Sequence, residues 1–369
     1  MRGINKIWCK KGEKSKMKKK ALSIIILLTF CIVALSGCNN SKDVTVVCWG
    51  DSMTEGVAGN GVTYPDELAK LSGYNVVNMG GAGESLITIA ARSGAMKIIV
   101  DEDFEVPASR KAVYLTLTTR ELYDDNDYAG KIAPCNTDRG GWTPAVIQID
   151  EKTKIEGKLY TTCMLDENNV RTLSSAQFVR SEAGKAIVVP GGSEISVAAH
   201  DMIGDINIYW AGTNLGWDDT DLGGDAVKPE NIIVALKKMI LENTGVEFSS
   251  KEDVLDKEIP EGEKFIVIGM TTGDSKAWPG INEALAEEFG DKFIDAKAYL
   301  ATRQALSDAK VEPTEKDMEY IEAGRIPFSL LGGYRYLDSP GKADEVHLNG
   351  IGYKLLAEQI YKRMKALGY

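Results

Sequence analysis

An apolar run near the start of the globular part of the chain constrains the fold most. Residues 44–49 are uncharged and rich in β-branched side chains, and the run ends at Gly50. A short run without apolar–polar alternation is typical of a strand buried on both faces, as in a parallel sheet. Turn and cap residues then predict a helix at 63–71, a strand at 75–78 and, after a glycine-rich loop, a helix at 85–95. This order predicts an α/β fold with a parallel sheet.

The strand–helix alternation stops in the middle of the chain and then resumes. Between residues 96 and 204, short alternating runs are separated by Gly, Asn, Asp and Pro, which is typical of a small β-sandwich or barrel. Beyond residue 205, strands are predicted at 206–210, 265–270 and 292–294, with helices at 229–242, 281–289 and after residue 350. We therefore predict one α/β domain, formed by residues 38–95 and 205–369, that is interrupted by a sandwich-like β-rich domain at residues 96–204.

The N-terminus has the pattern of a targeting segment. Three lysines, Lys18 to Lys20, precede an uncharged apolar run at residues 21–35 that is short for a membrane span. The following Leu35-Ser36-Gly37-Cys38 resembles the lipobox of bacterial lipoproteins, in which the cysteine becomes the lipidated first residue. We predict residues 1–37 to be a lipoprotein signal peptide and Cys38 to be the anchor, with an uncleaved anchor helix as the alternative. Both hypotheses place the body of the protein outside the cytoplasm, at the membrane.

Composition excludes several classes of protein. A hydrophobic content of 44% with 26% charged residues is typical of a globular chain rather than a disordered one. The formal net charge of −11 argues against a nucleic-acid partner, because an acidic surface repels phosphates. Once Cys38 is lipidated, too few cysteines remain for a disulfide framework, and none forms a CxxC pair. We therefore predict no structural zinc and no other metal.

A candidate nucleophile follows the first predicted strand directly. Ser52 lies just after Gly50, where open α/β sheets present reactive groups at the carboxyl ends of their strands. Serine is also an ordinary helix-cap residue, so the position alone is weak evidence.

A serine nucleophile needs a base, and the chain has 2 histidines. His347 follows Asp344 by three residues, so the carboxylate can bond one ring nitrogen and leave the other free to accept the serine proton. For His200, at the far edge of the β-rich region, we expect a structural role.

Acyl transfer also needs hydrogen-bond donors for the developing oxyanion. The glycine loop that contains Gly83 can supply backbone N–H groups, and Asn214, after the third strand of the α/β pattern, can supply a side-chain amide. Each has an ordinary alternative as a turn residue.

Four blocks in chain order resemble those of the SGNH hydrolases, also called GDSL-type esterases and lipases. The blocks are Gly50-Asp51-Ser52-Met53, Asn78-Met79-Gly80-Gly81-Ala82-Gly83, Gly212-Thr213-Asn214 and Asp344-Glu345-Val346-His347. Met53 stands where the family often has Leu, and Leu215 replaces the aspartate that commonly follows the asparagine. The resemblance covers residues 44–95 and 205–369.

The resemblance implies a flavodoxin-like, three-layer fold with a parallel sheet of about five strands. It also implies a Ser52–His347–Asp344 triad, with oxyanion donors from the backbone of Ser52, the backbone of Gly83 and the side chain of Asn214. No cofactor is implied. Trp217 and Asp51 are further candidates for substrate contact, and Trp142 is a candidate for stacking on sugar rings.

The expected activity is that of an extracytoplasmic serine carboxyl-ester hydrolase, most simply one that removes acetyl groups from a carbohydrate. The anchor and the β-rich insertion favour a polymeric substrate by analogy of architecture. A lipase or lysophospholipase is the second hypothesis. A surface carbohydrate-binding protein on an inactive hydrolase scaffold is the third, and the complete set of site residues speaks against it.

The anchor hypothesis predicts the effect of a single substitution. Cys38→Ala should release the protein into the medium or leave an unprocessed precursor, because the sequence offers no second lipid attachment and one acyl chain alone binds membranes only weakly. Fractionation with mass determination checks this. A mature-length chain that stays in the membrane fraction would contradict the hypothesis.

Overall fold

The computed structural model describes the chain in several segments. These are residues 44–120, 127–128, 142–165, 171–214, 229–244, 246, 248–271, 280–333 and 343–369. All described residues belong to one compact unit, Lys42–Tyr369. The predicted anchor Cys38 and the candidate contact Trp217 lie outside the described residues.

The regular elements alternate at both ends of this unit and are strands in between. The strands are β1 (Thr45–Gly50), β2 (Asn75–Gly80), β3 (Lys97–Val100), β4 (Phe104–Val106), β5 (Val113–Leu115), β6 (Leu117–Arg120), β7 (Asp127–Tyr128), β8 (Thr143–Gln148), β9 (Lys154–Leu165), β10 (Arg171–Arg180), β11 (Ile187–Val189), β12 (Glu194–Val197), β13 (Ile206–Trp210), β14 (Phe265–Ile268), β15 (Phe293–Ile294), β16 (Leu331–Gly333) and β17 (Asp344–Leu348). The α-helices are α1 (Ser52–Glu55), α2 (Tyr64–Ser72), α3 (Leu86–Ser93), α4 (Pro229–Leu241), α5 (Lys251–Asp256), α6 (Ile281–Phe289), α7 (Ala296–Leu300), α8 (Arg303–Asp308), α9 (Glu315–Glu322) and α10 (Gly350–Ala366).

A five-stranded parallel sheet forms the centre of this unit, in the order β2-β1-β13-β14-β15. Alternate residues of its middle strands enter two different hydrophobic cores. Val47 of β1 packs with α3 and α4 on one face, whereas Cys48 packs with α2 and α10 on the other. The fold is therefore mixed α/β, and the apolar run at the start of the sequence is buried on both faces, as predicted.

An eight-stranded antiparallel sheet follows, in the order β5-β10-β9-β8-β12-β3-β6-β7. Strands β4 and β11 form a separate antiparallel pair. The inner face of the larger sheet carries Ile147, Leu159 and Phe178, which belong to the same core as Leu86 of α3. The β-rich region therefore shares a core with one face of the parallel sheet, and its sandwich-like packing and separate domain status remain predictions.

Several elements differ from those predicted. Strand β3 was not expected, because its four residues are too few to show a period. The short helices α5, α8 and α9 were also missed, since their six to eight residues make only about two turns, too few to show a helical pattern. The longer helix α10 lies where it was predicted. Within the described residues, no helix has the length and apolar character needed to cross a membrane.

The shared core predicts how the fold unfolds. Phe178, at 0% exposure, should cost about 3–5 kcal/mol of unfolding free energy when replaced by Ala. Because its core is continuous with that of α3, urea unfolding should remain one transition that shifts as a whole. Two transitions, of which only one moved, would contradict a common core.

Candidate active site

Ser52 begins helix α1 immediately beyond the carboxyl end of β1. Asp51 is the N-cap of this helix, and its Oδ1 accepts a hydrogen bond from the Met53 N–H at 2.9 Å. As the first helical residue, Ser52 has a backbone N–H without an acceptor inside the helix. Its side chain is nearly buried, since the residue is 6% exposed. The local sequence thus turns the hydroxyl sharply out of the strand and holds it in place.

The strand ends beside Ser52 are glycines because the backbones there approach closely. Gly50 and Gly80 are paired in register on β1 and β2. A Cβ on Gly50 would lie 2.3 Å from the Trp210 carbonyl oxygen, and one on Gly80 would lie 2.1 Å from the Glu55 nitrogen. Neither contact is possible for a larger residue, so both glycines are required for α1 to pack against the sheet.

His347 and Asp344 lie on β17, which pairs with β16 in an antiparallel hairpin. Asn349 then caps helix α10 by accepting hydrogen bonds from two backbone N–H groups, and its side-chain amide donates to the Ser329 carbonyl at 2.8 Å. These contacts fix the end of the strand that carries the histidine.

The three residues predicted as a triad form one hydrogen-bonded chain. His347 Nε2 lies 2.8 Å from Ser52 Oγ, and Nδ1 lies 3.0 Å from Asp344 Oδ2. The ionised carboxylate only accepts hydrogen bonds, so Nδ1 carries the ring proton and Nε2 accepts from the serine hydroxyl. The imidazole is therefore oriented to take the serine proton.

The environment of Asp344 keeps it ionised. Burial acts to raise its pKa, but hydrogen bonds from the His347 side chain and backbone, together with the nearby histidine charge, hold the pKa well below the usual range. Because the folded-state pKa is depressed, the ionised carboxylate stabilises the fold at neutral pH, and this contribution is lost as the pH falls through the acid range. The neighbouring Glu345 bonds Tyr320 and Arg325 instead, so Asp344 alone of these two acids orients the histidine.

Two of the three predicted oxyanion donors, Gly83 and Asn214, lie on connected loops, and the third is the backbone N–H of Ser52 at the start of α1. Gly83 adopts a φ of 78°, which favours glycine, in the loop after β2. Asn214, in the loop after β13, donates from Nδ2 to the Glu84 carbonyl at 2.9 Å. An amide has two N–H donors, so this bond leaves one for a further acceptor. The structure thus joins the asparagine to the residue next to Gly83.

Glu84 and Arg92 form a buried ion pair beneath the glycine loop, which sequence reasoning missed. Each side chain is 3% exposed, and Arg92 Nη2 lies 2.7 Å from Glu84 Oε2. The same nitrogen donates to the Met79 carbonyl at 2.7 Å, and the guanidinium lies over the Trp49 ring. The signal in the sequence was an acid directly after Gly83 with an arginine two helical turns later.

Glu55 makes a second unpredicted connection to this loop. Its Oε2 accepts from the Ala82 N–H at 2.6 Å, which ties the end of α1 to the glycine loop. Asp51, predicted as a substrate contact, is 0% exposed and leaves no surface for one in this conformation. Burial raises its pKa to about 6, and the rise is reduced by hydrogen bonds from Met53 and Thr213 and by the charge of His347.

The remaining candidates take no part in the hydrogen-bonded chain of Ser52, His347 and Asp344. His200 donates from Nε2 to the Ala91 carbonyl at 2.9 Å near the end of α3, and burial lowers its pKa. This is the structural role expected for it. Trp210 is 1% exposed and packs in its strand, whereas Trp142 is exposed.

A scan against protein-family models and a search of curated proteins both gave no match for this chain. The functional assignment therefore rests on the geometry of the site.

Because the Glu84–Arg92 ion pair is buried, we expect neutralising one of its charges to lower the stability of the fold strongly. Glu84→Gln should destabilise the fold by about 3–5 kcal/mol, because it removes the negative charge that faces the buried Arg92 guanidinium. Denaturant unfolding checks this. The matched control is Glu67→Gln in the surface pair of Glu67 with Lys70, which should change stability little. Equal effects of the two substitutions would contradict the importance of burial.

Proposed function

We propose that the chain is a serine carboxyl-ester hydrolase of the SGNH type. The observation that carries the proposal is the continuous hydrogen-bonded chain from Ser52 Oγ through the His347 ring to the Asp344 carboxylate. Such a chain activates a hydroxyl for attack on an acyl carbon. Residues 295 positions apart in sequence meet in this chain, which local turn or cap chemistry does not explain.

The architecture supports the same proposal. In chain order, the strands of the parallel sheet run 2-1-3-4-5, which is the flavodoxin-like order. Ser52, Gly83 and Asn214 follow the first three of these strands, at the carboxyl edge where open α/β sheets bind ligands. This arrangement agrees with the SGNH fold implied by the sequence blocks.

The proposed reaction proceeds through an acyl-enzyme. Ser52 Oγ attacks the ester carbonyl while His347 Nε2 takes its proton, and Asp344 stabilises the imidazolium. The backbone N–H groups of Ser52 and Gly83 and the free N–H of the Asn214 amide stabilise the oxyanion. The imidazolium then protonates the leaving alcohol, and a water activated by the same histidine releases the acid.

Within this class we propose a short acyl group, such as acetyl, on a carbohydrate as the substrate. The lipobox-like segment supports attachment to the outer face of a bacterial membrane through Cys38, where a polymeric substrate is within reach. A series of p-nitrophenyl esters from acetate to palmitate tests acyl length. Preference for the long chains would favour the lipase hypothesis instead.

The triad predicts a pattern among four variants. Ser52→Ala and His347→Ala should each remove nearly all turnover of p-nitrophenyl acetate, and the double variant should be little slower, since these residues act as one unit. Asp344→Asn should fold but lower kcat, by up to about 10⁴-fold, through loss of imidazolium stabilisation and of the required tautomer.

The other histidine provides the matched control. His200→Ala should leave kcat on the small ester unchanged, because its ring bonds a helix carbonyl rather than Ser52. An enzyme that kept its turnover without His347 and lost it without His200 would overturn the proposed active site.

A further inference from the structure

A row of aromatic side chains crosses the outer face of the antiparallel sheet. Tyr114 on β5 is paired with Gln177 on β10, and Gln177 is paired with Tyr160 on β9. Directly opposed residues project to the same face of a sheet, so these three side chains form a line. Trp142, just before β8, continues it, since its ring centroid lies 5.4 Å from that of Tyr160. We call these four residues the aromatic row.

The two ends of the aromatic row are open to solvent. Tyr114 is 72% exposed and Trp142 is 38% exposed, whereas Tyr160 and Gln177 between them are partly buried. The residues on the opposite face of the same strands, such as Leu159 and Phe178, are fully buried in the core. Core packing therefore does not explain why large rings occupy the outer face.

The chemistry of the row fits a neutral carbohydrate. An aromatic ring has a partly negative face, which attracts the weakly positive C–H groups on the flat side of a pyranose. Gln177 sits between two rings and offers an amide donor and acceptor for sugar hydroxyls. On one side of the row, Thr162 and Ser175 add hydroxyl groups, with their oxygens 2.6 Å apart.

The length and charge of the row narrow the class of ligand further. Three strand spacings separate Tyr114 from Trp142, or about 14 Å, which is longer than one sugar ring. None of the four residues carries a charge, and the chain is acidic overall. Single-stranded nucleic acids also stack on aromatic rings, but the sites that bind them add a positively charged groove.

We propose that the aromatic row binds a neutral glycan chain, along which successive sugar rings stack on Tyr114, Tyr160 and Trp142. The binding itself does not depend on the proposed function. Only its consequence rests on that proposal, namely that the esterase acts on ester groups carried by the bound glycan. The row would then hold the polymer while the Ser52 site removes acyl groups from it.

The test measures binding without turnover. Full-length Ser52→Ala protein is titrated calorimetrically with xylohexaose, cellohexaose and the hexamer of N-acetylglucosamine. At least one should bind, and Tyr114→Ala or Trp142→Ala should weaken it by about 5- to 100-fold, as expected for loss of one stacked ring. Tyr114→Phe keeps the ring and should retain affinity. Val188→Ala, an exposed residue of β11 outside the row, is the matched control and should have no effect.

Several results would overturn the proposal. These are no binding of any hexasaccharide, binding that the row variants leave unchanged, tighter binding of oligothymidine than of any glycan, or self-association that the row variants abolish. Hydrolysis of p-nitrophenyl acetate by Tyr114→Ala with an intact Ser52 separates the two proposals. Glycan binding through the row in a protein without esterase activity would reject the proposed function but support the proposed glycan binding.

Discussion

The close backbone approach at the ends of β1 and β2 is the constraint on which the rest of the site depends. Gly50 and Gly80 have no side chains, so helix α1 lies directly against the sheet and Ser52 is held at its edge. A Cβ at either position would push α1 away and lengthen the 2.8 Å contact between Ser52 Oγ and His347 Nε2. The loss of hydrogen bonding with distance is steep, so a displacement of less than 1 Å would uncouple the pair.

Buried polar groups around this contact hold the loops to one another. The Glu84 carboxylate binds Arg92, its carbonyl accepts from Asn214, and the guanidinium reaches the Met79 carbonyl. The loops after β2 and β13 are therefore joined through Glu84, although they are far apart in sequence. Such a network is costly to desolvate and tolerates no missing partner. It gives rigidity to a loop that glycines would otherwise leave free.

Much of the α/β pattern was predictable from the sequence, because the signals for its longer strands and helices lie within each segment itself. Strands β1 and β13 are recognisable from their apolar, β-branched composition, and helix α10 from the helical spacing of its apolar residues. The contact of Ser52 with His347 and Asp344 was also predictable, because two histidines and an acid three residues before one of them left few choices.

What the sequence could not show depends on contacts between distant segments. The burial of the Glu84–Arg92 pair depends on packing that the local sequence does not show, since each side chain is only 3% exposed in the folded chain. The full burial of Asp51, which raises its pKa to about 6, likewise requires the packed strands around it. For the same reason the alignment of Tyr114 with Tyr160 is invisible in sequence, because it depends on strand register.

The two faces of the antiparallel sheet are constrained differently, because one packs in the core and the other faces outward. Its inner face completes the core against α3, the helix that carries Arg92, and His200 after β12 bonds the Ala91 carbonyl of that helix. The outer face is free of this packing constraint, so its residues are open to other requirements. The proposed hydrolase activity requires a rigid glycine loop, the proposed glycan binding requires an open surface, and the two faces of this one sheet can serve both. Substitutions on the outer face should then alter polymer binding without disturbing the loop, since the strand alternation separates the two sets of side chains.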